Sequence, residues 1–249
     1  MFPTSLSWNK FDRFMLGYSY PFISEKQAIW GELTKQHALS WKHDQRKLLV
    51  TGSPRHDRFF NNSKNSLNKG TIILATTSVS GVSAFNSPFD SYEKFEQFVI
   101  EVYRIVQKFP EKQLIVKPHP QQDFINNITE LIQRIDPKIQ IIYNADLVDL
   151  ISSCDVLITF NDSTIALDSI ILGKPTISLQ IENWAEEEDI VKMGAILSIS
   201  QINELESSLT KLLTDEQFRT NLITKSQKFV DAYLSNKGNA SHTLAKELD

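Results

Sequence analysis

From about residue 46 onward, short apolar runs alternate with segments of helical period. The runs are Lys47–Thr51, Thr71–Thr76, Gln113–Lys117, Ile139–Tyr143, Asp155–Phe160 and Pro175–Leu179, rich in Ile, Val, Leu and Thr. A strand with one wet face alternates apolar and polar positions, whereas these runs do not. Strands buried on both faces of a parallel sheet read this way. Between the runs, Phe95, Phe98, Val99, Val102, Ile105, Val106 and Phe109 recur at three- and four-residue spacing, which predicts one apolar stripe on a helix. Further helices are predicted over Asp123–Ile135, Asp146–Ser153 and Ser163–Leu172. Ile202, Leu205, Leu209 and Leu212 mark another, and Asp215–Leu234 the next. Strand–helix alternation at this rhythm predicts the α/β class, with a doubly wound, mostly parallel sheet over residues 46–249.

The first 45 residues follow a different pattern. Trp8, Phe11, Phe14, Met15, Tyr18, Tyr20, Phe22 and Trp30 make the stretch aromatic, yet it has room for at most one short strand and one helix. That is too little chain for a core of its own. Two readings stand: an extra strand and helix docked on the domain, or the connecting tail of a preceding domain that offers a surface to a partner. Aromatics in such number need covering.

Composition narrows the function classes. A net charge of −4 argues against a non-specific nucleic-acid binder, which carries a basic surplus. The single cysteine, Cys154, has no partner for an internal disulfide, as befits a reducing compartment. No apolar run approaches the roughly 20 residues that span a bilayer. The start lacks the charged-then-apolar order of a signal peptide. These features predict a soluble, cytoplasmic chain without a transmembrane segment, which leaves open a peripheral place at the inner face of the membrane.

In an open parallel sheet, ligands bind beyond the carboxyl ends of the strands, so the residues that follow each run carry the candidate chemistry. After Thr71–Thr76 comes Thr77-Ser78-Val79-Ser80-Gly81-Val82-Ser83, where small hydroxyl residues around a glycine let backbone N–H groups approach an anion. The dinucleotide fingerprint and the Walker order are both missing, and a plain serine-rich loop fits equally. After Gln113–Val116 comes Lys117-Pro118-His119-Pro120, whose prolines stiffen the turn and hold His119 at the sheet edge. An imidazole there can donate to a phosphate or act as acid or base, with Lys117 adding charge. In the simpler reading His119 only satisfies a neighbouring carbonyl.

Asn161-Asp162-Ser163-Thr164 follows Asp155–Phe160 and opens a helix. Asp162 or Ser163 is a natural N-cap, and the free N–H groups beyond it favour an anion. Asp168 lies four residues after Thr164, on the same face one turn further along. Its neighbours are almost all apolar, so its carboxylate needs partners. It can accept from ribose or sugar hydroxyls, or it can form a salt bridge. His37, His43, His56 and His242 show no metal-ligand spacing.

Taken together and in this order, these residues resemble the C-terminal half of a GT-B-type glycosyltransferase, a Rossmann-like domain. The likeness is to surface-polysaccharide enzymes: capsule and Kdo transferases, bacterial sialyltransferases and CDP-glycerol glycerophosphotransferases. Val50-Thr51-Gly52-Ser53-Pro54-Arg55-His56-Asp57 is similar to the segment that enters the second domain of those enzymes. His119-Pro120 matches their His-Pro motif, and Ser163-Thr164 their paired-hydroxyl motif, which in those relatives binds donor phosphate. Asp168 falls where relatives place an acidic residue facing the nucleotide sugar. Lys237-Gly238-Asn239-Ala240-Ser241 resembles the glycine-containing turn before their last helix.

The resemblance implies transfer of a sugar from a CMP-, CDP- or UDP-linked donor to a glycan or lipid-linked acceptor in surface polysaccharide biosynthesis, with no metal and no further cofactor. It implies His119 as the catalytic group that donates to the departing phosphate. The donor-binding set is then Ser78, Ser80, Gly81, Lys117, His119, Asn161, Ser163, Thr164 and Asp168. A CDP-glycerol-type phosphotransferase, a sugar-nucleotide epimerase and a non-catalytic nucleotide-binding or partner-docking domain remain open. Relatives bind the acceptor on an N-terminal domain, so residues 1–45 are expected to be a connecting segment or the remnant of one. A partner domain or subunit is expected to complete the site.

Overall fold

The computed structural model describes residues 25–62, 70–77, 88–119, 128–161, 163–181 and 188–247. Six strands form one parallel sheet: β3 (Thr71–Ala75), β4 (Gln113–Lys117), β5 (Gln140–Ile141), β6 (Val156–Phe160), β7 (Thr176–Leu179) and β8 (Leu197–Ile199). Their spatial order is β5-β4-β3-β6-β7-β8, and every neighbouring pair is parallel. The apolar runs lacked polar alternation because both faces of the sheet are covered.

On one face, Ile72, Leu74, Leu114, Val116, Ile158, Phe160, Ile177 and Leu179 meet α3 (Pro88–Val106), α4 (Ile128–Ile135) and α8 (Ile202–Thr214). The predicted stripe is the contact surface of α3: Phe95, Phe98, Val99, Val102, Ile105 and Val106 are all essentially without solvent. Phe95 packs on Phe160 of β6 with ring centroids 4.8 Å apart, tying the helix to a central strand. On the other face, Ile73, Ala75 and Leu157 meet α5 (Leu147–Ser152), while α6 (Ile165–Ile171) packs with α9 (Glu216–Tyr233). Cys154 is buried there, and burial pushes its thiol up to about 12.

Several boundaries are tighter than the pattern predicted. Asp146 stands outside α5 as its N-cap, its side chain accepting from Val148 N and Asp149 N. The helix over Asp123–Ile135 begins at Ile128 among the described residues. β8 is an added strand. Three residues between Gly194 and Ser200 are too few to show a period, and only the β7 ladder makes them a strand.

The run Lys47–Thr51 does not join the main sheet. As β2 (Leu48–Val50) it pairs in parallel with β1 (Gln27–Ile29), and α1 (Glu32–Ser40) connects the two. This β-α-β unit straddles the 45/46 division expected from composition. It docks on the domain through Ser235 N donating to the Trp30 carbonyl and through Trp30 packed against Tyr233 of α9. Among described residues before 46 there is one strand and one helix, the content expected for that stretch.

Candidate functional site

The strand order reverses between β3 and β6: β4 and β5 lie on one side, β7 and β8 on the other. Crevices form at such a switch point, outside the carboxyl ends, because the loops of the two strands leave in opposite directions. The register aligns Ala75 with Lys117 on β4 and Leu74 with Ile158 on β6. Beyond these ladders, His119 comes two residues after Lys117 and Asn161 directly follows β6, both at the carboxyl edge. Thr76 extends the pairing, donating its N–H to the Lys117 carbonyl, while its hydroxyl accepts from His119 N at 3.3 Å.

At this edge His119 is half-buried. Burial, and then the nearby Lys117 charge, lower its pKa below the usual imidazole value, so at neutral pH the ring is neutral with one N–H to donate. Lys117 is only 8% exposed, and burial lowers its pKa too. Its ammonium donates to the Pro118 carbonyl at 2.9 Å, so its charge stiffens the turn from within.

Asn161 serves the fold. It sits at a positive φ of 46°, which turns the chain sharply off β6. Its side-chain oxygen accepts from Ile181 N at 3.0 Å, and its own carbonyl accepts from Ser178 Oγ. That oxygen is thereby engaged in holding the turn. Because the turn is made at Asn161, α6 begins later than expected. Thr164 is the N-cap, without a side-chain capping bond, and not Asp162 or Ser163. Ser163 and Thr164 are partly exposed where the chain enters α6, and their carbonyls accept from Ala166 N and Leu167 N. Ser78, Ser80, Gly81 and Asp162 lie outside the described residues.

Asp168 departs most from its expected part. It is 0% exposed, and its Oδ2 accepts from Arg55 Nη2 at 2.9 Å. Its Oδ1 stands 3.1 Å from His56 Nε2, near enough for an ion pair but off line for a hydrogen bond. The carboxylate is wholly enclosed with Oδ1 left without a hydrogen bond, and the salt bridge to Arg55 is the alternative the fold builds. His56 is held by Ser53 Oγ at 2.7 Å from its other ring nitrogen and by Trp30, whose ring lies edge-on at 5.4 Å.

Arg55 and His56 escaped the sequence reading. A carboxylate in an apolar helix demands a partner somewhere in the chain, but nothing local says which cation, more than a hundred residues away, supplies it. The one signal was their place in the segment Val50–Asp57.

That segment also meets the chain's end. Asp57, at the start of α2 (Asp57–Phe60), accepts from Ala240 N and Ser241 N, both at 2.8 Å, and so caps α10 (Ala240–Lys246). Asn61 Nδ2 donates to the Gly238 carbonyl and Asn236 Nδ2 to that of Val50. A separate cleft of about 360 Å³ opens at the β8 edge between α3 and Ser200–Ile202. Neither His119 nor Asp168 lines it. Among the described residues no group of three or more His, Cys, Asp or Glu could hold a metal ion, and no helix is long and apolar enough to cross a membrane.

A doubly wound parallel sheet, with the His119 turn after β4 and a hydroxyl-bearing turn after β6 on either side of β3, matches a Rossmann-like α/β domain of the GT-B type. Solved structures agree on the fold. S. aureus MnaA with UDP superposes at a TM-score of 0.70 with 17% identity, over 97% of this chain and 65% of that one. Neisseria meningitidis UDP-GlcNAc 2-epimerase, bound to UDP-GlcNAc, gives 0.64 and 18%, over 94% and 66%. A glycosyltransferase from Rickettsia africae gives 0.52 and 18%, over 97% and 67%. The chain thus spans slightly under two thirds of the first two of these proteins. No curated protein sequence matches it. The family model for CDP-glycerol:poly(glycerophosphate) glycerophosphotransferase matches residues 31–247, and the chain belongs to that family.

Proposed function

We propose that this chain binds a nucleotide-linked donor at the carboxyl edge around β3, β4 and β6 and serves as the donor-binding half of a transferase. Phosphoglycerol transfer from a CDP-linked donor is the preferred reading, because the family model covers nearly all described residues. The observation that supports the donor site is the strand order, which sets the carboxyl ends of β4 and β6 on either side of β3, with His119 after the one and the Ser163-Thr164 turn after the other.

In this reaction an acceptor hydroxyl forms a bond to the phosphorus that carries the glycerol. The bond from that phosphorus to the CMP oxygen breaks, CMP leaves with the electron pair, and the acceptor proton passes to a base on the acceptor side. The neutral His119 ring donates its N–H to the departing phosphate as charge develops there, where a fixed donor helps the rate most. Ser163 and Thr164 offer hydroxyls to the same phosphates. The acceptor, a polyol-phosphate, glycan or lipid-linked chain, is presented by a partner domain or subunit.

Sugar transfer is the second reading, supported by the fold likeness to the Rickettsia africae glycosyltransferase and to proteins solved with UDP. Calorimetry of the full chain with CDP-glycerol, CDP, UDP and UDP-GlcNAc separates the two. CDP-glycerol binding more tightly than UDP-GlcNAc is the expected result. The reverse order replaces phosphoglycerol transfer by sugar chemistry, and no binding by any of the four removes the donor site.

A further inference from the structure

The ion pair between Arg55 and Asp168 is asymmetric. Asp168 is wholly out of water, whereas the Arg55 side chain keeps 49% of its surface exposed. Enclosing a carboxylate so completely is costly unless well-placed cations and hydrogen bonds offset it. We propose that Arg55 is a donor-reading residue whose guanidinium contacts the phosphate oxygens of the nucleotide, and that Asp168 is the positioning residue that aims it. The inference rests on the donor-site reading above.

Three observations carry it. Asp168 occupies a single guanidinium nitrogen, Nη2. A guanidinium has five N–H donors in a planar fork, and no other partner holds Arg55 among the described residues. The open edge suits two phosphate oxygens at once. Second, the mount is rigid. Asp168 is held between Arg55 and His56, and His56 is itself fixed by Ser53 and boxed by Trp30. A cation on such a support loses little freedom when it binds.

Third, the place is right. Asp168 lies about 6 Å along α6 from Thr164, and helical side chains lean back toward the N-terminal turn. The Asp168 carboxylate thus leans toward the end of α6 that carries Ser163 and Thr164, and Arg55 is bound to it there. Lys117, the cation expected at this edge, is only 8% exposed and donates to the Pro118 carbonyl, so Arg55 offers the more open positive charge.

The test compares binding of CDP and of cytidine to the full-length parent and to Arg55→Gln, Arg55→Lys and Asp168→Asn. A phosphate-reading arginine predicts that Arg55→Gln weakens CDP about ten- to a hundred-fold while cytidine stays within about two-fold. Arg55→Lys recovers only part, because a point charge cannot replace the fork. Asp168→Asn shifts the CDP-to-cytidine ratio in the same direction. A merely structural pair would lower both affinities together, with the unfolding midpoint, and that outcome overturns the proposal. So does CDP binding in Arg55→Gln equal to the parent's, which leaves the donor site standing without Arg55. A parent that binds neither CDP nor UDP removes the donor site and this inference together.

Discussion

Asp57 accepts from the backbone N–H of Ala240 at 2.8 Å, across 183 residues of chain, and with its second oxygen from Ser241. One carboxylate near the start of the domain thereby closes the N-terminus of its last helix. Capping by a carboxylate also suits the positive end of the helix dipole.

Replacing Asp57 by Ala leaves two N–H groups without that acceptor. The variant is expected to lose about 1–2 kcal/mol of stability, read from urea unfolding. An unchanged midpoint would show that water replaces the cap at no cost.

Gly52 has a φ of +84°, and a Cβ there would come within 2.2 Å of the Ser235 carbonyl oxygen. Backbone on backbone has nowhere to retreat. Gly52→Ala should therefore be more damaging than Gly173→Ala, where φ is +70° but nothing lies within 4 Å. Thermal unfolding of the two variants side by side tests the ranking.

Phe95 is 1% exposed and packs against Phe160 with the two rings tilted by 46°. Phe95→Ala removes a ring from the densest face of the sheet and should cost roughly 3–5 kcal/mol. A loss under about 1 kcal/mol would mean that α3 collapses into the space.

His37 Nε2 meets Asp189 Oδ2 at 2.5 Å and joins α1 to α7 (Asp189–Lys192). The hydrogen bond from His37, against the opposing effect of burial, holds the Asp189 carboxyl below its ordinary value of 3.8. A depressed carboxyl contributes stability above the unfolded pKa and loses it as pH falls through the folded one. Acid titration of the parent should thus show a destabilising step below pH 3.8 that shrinks in Asp189→Asn. Identical acid limbs would assign no such stability to the pair.

His119→Ala is expected to lower turnover about a hundred-fold or more while donor affinity changes far less, since the bond matters most as the leaving group charges. Equal turnover in variant and parent would strip His119 of its role. With its pKa lowered by burial and by Lys117, the ring should gain a proton only below pH 6.5, where activity that depends on the neutral form declines.

The parallel sheet and the helices over 88–106, 202–214 and 216–233 could be read along the chain. A buried strand needs a run of Ile, Val and Leu, and a helix against it needs a stripe every three to four residues. Both are local patterns. The strand-end rule likewise singled out His119 and Ser163-Thr164, because topology assigns strand ends to one edge before any side chain is placed.

Partnership was beyond that reach. Asp168 stood out as a carboxylate among apolar neighbours, but whether ribose or a cation would answer it depended on a residue 113 positions away. Lys117 and Asn161 were legible as polar groups at a strand end, but that the one donates to the Pro118 carbonyl and the other accepts from Ile181 N was not. The strand at 48–50 pairs with β1 and not with the main sheet, a choice of partner that composition does not encode. Periodicity is written into neighbours a few residues apart. Which polar atom satisfies which is decided when folding removes water and each buried group must find whatever partner the packing brings within reach.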